Sequence, residues 1–101
     1  MSNLLDLAAK EIFRREILQL CYQGAPVGCS MDVLRAALSH GTDPGEGELE
    51  RQVDYLEAKG LVHTENIGNK RLGLNKTVVR ITAEGTDFLE GNTDPVKGVG
   101  D

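Results

Sequence analysis

The chain has 101 residues, 40% of them hydrophobic and 27% charged, with a net charge of −5. That size and mix describe one soluble domain and exclude a disordered or fibrous chain. No apolar run approaches the roughly 20 residues of a membrane span. Cys21 and Cys29 are too few for a disulfide framework, and with His40 and His63 they lack metal-ligand spacing.

Only 4% of residues are aromatic, so the core must be aliphatic. The N-terminus lacks a basic stretch leading into an apolar one, so no secretory signal is expected. The expected compartment is a reducing cytoplasm.

The first element reads as a helix from about Leu4 to Gln23. Leu5, Ala8, Ile12, Phe13, Ile17, Leu20 and Cys21 recur at helical spacing, and Gly24 and Pro26 end it. Ser30 is placed to cap a second, shorter helix that buries Met31, Leu34, Ala37 and Leu38 and closes at His40 and Gly41. In "TDPGEGELE", Asp43 can cap a third helix, Pro44 suits its first position, and Glu46 completes a capping-box spacing. Gly45 and Gly47 weaken that first turn, so the start can slip to Glu46; the helix runs to Lys59, with Gly60 as its stop.

The period then changes. "LVHTEN" (Leu61–Asn66) and "TVVRIT" (Thr77–Thr82) read as strands joined by the Gly- and Asn-bearing stretch from Ile67 to Lys76. His63 shares a strand face with Leu61 and is expected to be partly buried. A short strand near Val27–Cys29 also fits. Thr82 can cap a last helix over Ala83–Glu90, ended by Gly91. The fold class is α+β, mostly α: a single domain over 1–91, then a mobile or loosely packed tail over 92–101.

"IGNKRLGLNKTVVRITA", residues 67–83, holds no acid in an acidic chain. It gathers Lys70, Arg71, Lys76 and Arg80 around Gly68 and Gly73. Two readings stand: a surface for phosphate, or a solvated hairpin. Lys10, Arg14 and Arg15 on the first helix are offset by Glu11 and Glu16, which reads as a solvated face.

Three helices followed by a two-stranded hairpin resemble a winged helix-turn-helix domain. The resemblance rests on Leu49, Val53 and Leu56 along one face, on "EAKGLV" turning into a strand, and on "RITAEGTDFLEG", which is similar to the Leu/Ile-Thr-x-x-Gly end of many wings. It covers roughly residues 10–91. Length, the "ITAEGTDFLEG" segment and a tail containing "DPVKGVG" are further similar to small winged-helix proteins of Mu-like prophages. The resemblance implies a transcriptional-regulator-like DNA-binding protein, with the third helix toward the major groove and the basic wing on phosphates.

On a wheel of about 100° per residue, the third helix puts Glu46, Glu50, Asp54 and Glu57 on one flank and Glu48, Arg51, Gln52, Tyr55 and Lys59 on the other. The acidic flank opposes DNA, because carboxylates repel phosphates. On the other flank Arg51 can pair with guanine, Gln52 with adenine, and Tyr55 can reach a phosphate.

The expected DNA-binding residues are therefore Arg51, Gln52, Tyr55, Asn69, Lys70, Arg71 and Lys76. Four engaged cations would make affinity fall on the order of 100-fold between about 50 and 200 mM salt. A homodimer is expected, through the first helix or the tail, because two modules multiply a limited affinity. The alternative is a protein–protein interaction module that docks a basic partner on its acidic third-helix flank. No cofactor, metal or membrane partner is expected. Nothing in the chain pairs a nucleophile with a base or forms a phosphate loop, so no enzyme activity is expected.

Overall fold

The computed structural model describes residues 4–38, 47–91 and 98–99. Among these, helix α1 (Leu4–Gln23) is followed by strand β1 (Cys29–Ser30), helix α2 (Met31–Ala37) and helix α3 (Glu48–Ala58). Strands β2 (Val62–Asn69) and β3 (Leu74–Ile81) follow, and helix α4 (Ala83–Leu89) packs after them. The fold is α+β and mostly helical, with one antiparallel sheet in the order β1-β3-β2.

The helix ends carry chemistry that the sequence announced. The Ser30 hydroxyl accepts from the Val33 N–H at 3.2 Å, and Thr82 Oγ1 accepts from the Gly85 N–H at 3.0 Å. At the end of α3, the Gly60 N–H reaches the Glu57 carbonyl at 2.9 Å and the Leu61 N–H reaches the Leu56 carbonyl at 3.0 Å. With Gly60 at φ 78°, this is the double bond pattern that a left-handed glycine closes on a helix. The start and stop signals expected at Asp43, Pro44, Glu46, His40 and Gly41 lie outside the described residues.

One side of α1 differs from expectation. Ile17, Leu18 and Cys21 are fully buried, but Ala8 is exposed and Ile12 is 59% exposed. The reason is reach: 20 residues extend about 30 Å, and α1 meets α3, α4 and β3 over its second half, where the buried positions begin.

The hairpin is longer than its β-branched residues suggest. The ladder continues from Val62↔Ile81 to Asn69↔Leu74, and a single 3-10 turn over Lys70–Leu72 closes it. Gly73, at φ 66°, completes that turn. Gly68, Asn69 and Asn75 have weak strand preference, but a register fixed at the root carries them into pairing. His63 is a correction: Leu61 precedes the strand, Val62 takes the buried side, and the His63 side chain is 69% exposed.

"ITAEG" acquires a mechanical meaning. Thr82 Oγ1 donates to the Gly60 carbonyl at 2.6 Å, and the Thr82 N–H donates to the Leu61 carbonyl at 3.0 Å. A Cβ on Gly85 would lie 2.2 Å from the same Leu61 carbonyl oxygen. Glycine there lets α4 lie directly on the junction between α3 and β2.

The core is aliphatic apart from Cys21 and Phe88, and it includes Val99, near the end of the chain. Val99 is fully buried and belongs to the same core cluster as Ile17, Leu49 and Leu56. The expectation of a mobile or loosely packed tail is corrected at Gly98–Val99, where burial of one apolar side chain anchors the backbone.

Candidate nucleic-acid interface

Helix α3 presents three sides. Leu49, Val53 and Leu56 enter the core. The flank carrying Glu50, Asp54 and Glu57 turns toward α2 and the hairpin. Glu57 Oε2 accepts from the Thr64 N–H and hydroxyl, both at 2.9 Å, and lies 3.9 Å from His63 Nδ1. The two Thr64 bonds hold the Glu57 carboxyl below its ordinary pKa. Glu50 pairs with Arg35 of α2; that bond lowers the carboxyl and raises the guanidinium. A groove of about 300 Å³ opens here between Met31, Arg35, Val53, Asp54, Thr64 and Thr77. Glu46 lies outside the described residues.

The opposite flank is occupied from within the molecule. Arg14 Nε donates to Gln52 Oε1 at 2.6 Å, and Arg14 Nη1 donates to the Gly98 carbonyl at 2.6 Å. Its guanidinium sits 3.8 Å from the centroid of the Tyr55 ring, while Lys59 Nζ is 5.5 Å from that ring. Gln52 Nε2 donates to Glu48 Oε1 at 2.7 Å, which leaves Gln52 only 5% exposed.

Gln52 is therefore corrected as a base-reading residue, since both ends of its amide are used and its side chain is out of water. Tyr55 is half-buried and serves as the platform for Arg14. The solvated reading of Arg14 is corrected too, and Arg15 lies 5.9 Å from the Phe88 ring centroid. Arg51 stays at the surface with a side chain 72% exposed, 3.1 Å from Glu48 Oε2. The flanks are thus reversed relative to the DNA expectation: the acidic one adjoins the hairpin, and Gln52 and Tyr55 face α1 and the tail.

The hairpin leaves the body with its tip in water. Asn66, Ile67, Gly68, Arg71, Leu72, Gly73, Asn75 and Lys76 are all exposed. Asn69 ends β2 and Lys70 opens the turn, which places both at the tip. Arg80 acts elsewhere: it pairs with Glu65 at 2.5 Å and donates from Nε to the Val27 carbonyl at 3.2 Å. It ties β3 to the chain entering β1. The structure gathers Asn69, Lys70, Arg71 and Lys76 on one projecting arm and keeps Gln52 and Tyr55 away from it.

Comparison of the chain with protein-family models, curated proteins and solved structures gives no match.

Two features went unread in the sequence. Arg14 is the hub of the α1–α3 contact, and no local pattern marks it. Leu72 and Ile67 stand exposed, at 70% and 46%, within the basic tip; a leucine set between Arg71 and Gly73 was a visible signal for the first. Among the described residues no three His, Cys, Asp or Glu side chains group as a metal site, and no helix is long and apolar enough to cross a membrane. Burial pushes the Cys21 thiol up to about 12 and raises that of Cys29, which makes both poor nucleophiles.

Proposed function

We propose that this is a winged-helix DNA-binding protein, regulator-like and cytoplasmic, that holds duplex DNA mainly through its hairpin. The observation that carries this reading is the acid-free arm with Arg71 and Lys76 exposed at its end and Lys70 in its turn. The order α1-β1-α2-α3-β2-β3, with β1 paired to β3, supports the winged-helix reading.

Internal use of the acids on α3 supports it further. Glu50 and Glu57 have partners within the fold, so part of the negative charge that opposed DNA is neutralised or fixed in hydrogen bonds. Of the α3 residues expected to read bases, Arg51 remains at the surface, beside Glu48. The same observation weakens the protein-interaction module, since Glu50 and Glu57 of its acidic flank already have partners within the fold.

The test is titration of mixed-sequence duplex at two salt concentrations. Engagement of three cations, Lys70, Arg71 and Lys76, by phosphates makes affinity fall about 40-fold between about 50 and 200 mM salt. Arg71→Ala with Lys76→Ala flattens that slope. Absence of binding at the lower salt removes the DNA reading and leaves the interaction module. Light scattering across a concentration series tests the homodimer, for which the exposed Leu7 and Ile12 of α1 offer apolar surface.

A further inference from the structure

Resting on the DNA reading, we propose that Leu72, backed by Ile67, is an apolar wedge that enters a base step from the minor-groove side and bends the duplex.

Leu72 is 70% exposed and Ile67 46% exposed, both at the far end of a projecting arm. An isolated surface leucine is ordinary. This pair is distinguished by its frame. Ile67 stands directly opposite Lys76 in the ladder, so both rise from one face of the hairpin. Arg71 precedes Leu72, and Gly73 at φ 66° turns the chain immediately after it. No carboxylate occurs between Glu65 and Glu84.

Apolar side chains flanked by cations match what a deformed minor groove presents. Phosphates line both rims, and an unstacked base step offers an apolar slot between them. Inserted Leu, Ile or Phe side chains unstack such steps and kink the duplex by roughly 20–90°. The undeformed groove is about 6 Å wide, and two strands at about 4.8 Å spacing with their side chains exceed it. Entry of this tip therefore requires the groove to open, which a wedge at a pliable TA or CA step accomplishes. An anionic membrane offers similar charge but demands a broad apolar face, which two side chains do not supply.

The experiment measures end-to-end energy transfer in labelled duplexes of about 30 bp, with and without a central TA step, together with affinity at about 50 mM salt. Because Leu72 is at the surface, Leu72→Ala and Leu72→Gln leave the fold intact, which circular dichroism checks. The native protein is expected to shorten the end-to-end distance, most with the TA step. Leu72→Ala is expected to bind within about tenfold of native while leaving the duplex straight. Arg71→Ala with Lys76→Ala loses affinity instead.

Binding by the native protein without bending, or equal bending by Leu72→Ala, overturns the wedge and leaves phosphate contact standing. No binding at about 50 mM salt overturns both. Leu72-dependent binding to phosphatidylserine vesicles without duplex binding also overturns both and assigns the tip to a membrane surface.

Discussion

The Arg14 guanidinium lies 3.8 Å from the centroid of the Tyr55 ring and reaches Gln52 and Gly98 from the same position. One cation thus joins α1, α3 and the end of the chain. Arg14→Ala is expected to lower stability by about 2–3 kcal/mol, from lost charge-assisted bonds and an unpaired Gln52 amide. Arg14→Lys keeps the charge but not the planar fork, and restores less than half. Urea unfolding of both variants checks this.

Removal of the chain from Gly98 onward takes away the Val99 anchor. The expected cost is about 1–3 kcal/mol, read as a lower urea midpoint. Val99→Asp costs at least as much, because it places a charge in the core. Hydrogen exchange at the Tyr55 and Gln52 amides should accelerate in both.

Gly85 and Gly91 make a controlled comparison. A Cβ at Gly85 would lie 2.2 Å from the Leu61 carbonyl oxygen, whereas at Gly91, φ 77°, nothing lies within 4 Å. Gly91→Ala is expected to cost about 1 kcal/mol, from backbone strain alone. Gly85→Ala should cost about 3 kcal/mol or more, since backbone has to move. Thermal melts separate the two by roughly 10 °C in a domain of this size.

Acid should loosen the ties of α3. Glu50 and Glu57 titrate below the ordinary value of 4.5 in the folded protein. Each therefore contributes stability that is complete above that value and disappears as pH falls through the lower, folded one. The Glu50 and Glu57 side chains are 43% and 38% exposed, so solvent screening keeps each effect small. Glu57→Gln is expected to flatten the decline in stability on the acid side, measured by urea unfolding at successive pH values, and to leave neutral-pH stability within about 1 kcal/mol of native.

What the sequence disclosed follows from how far each interaction reaches along the chain. The limits of α1 and the caps at Ser30 and Thr82 were legible because they depend on neighbours three or four positions away. The full length of the hairpin was not, because Gly68, Asn69 and Asn75 become strand only through partners across the ladder. A helical wheel showed which residues of α3 share a side but not what sits against that side. Arg14, 38 positions from Gln52, decides it. Val99 was one of two valines in a polar tail, with nothing local to mark it as an anchor. In the candidate interface the clustering of tip cations was readable, and the loss of Gln52 and Tyr55 to internal contacts was not.

The clamp that Thr82 places on Gly60 and Leu61 fixes a fulcrum. Val62, Val78 and Val79 stay buried against the body, so the free arm is the four outer pairs from Asn66↔Thr77 to Asn69↔Leu74, about 14 Å at about 3.4 Å each. A rocking of about 5° where it leaves the body sweeps the tip through about 1 Å while the helices hold still.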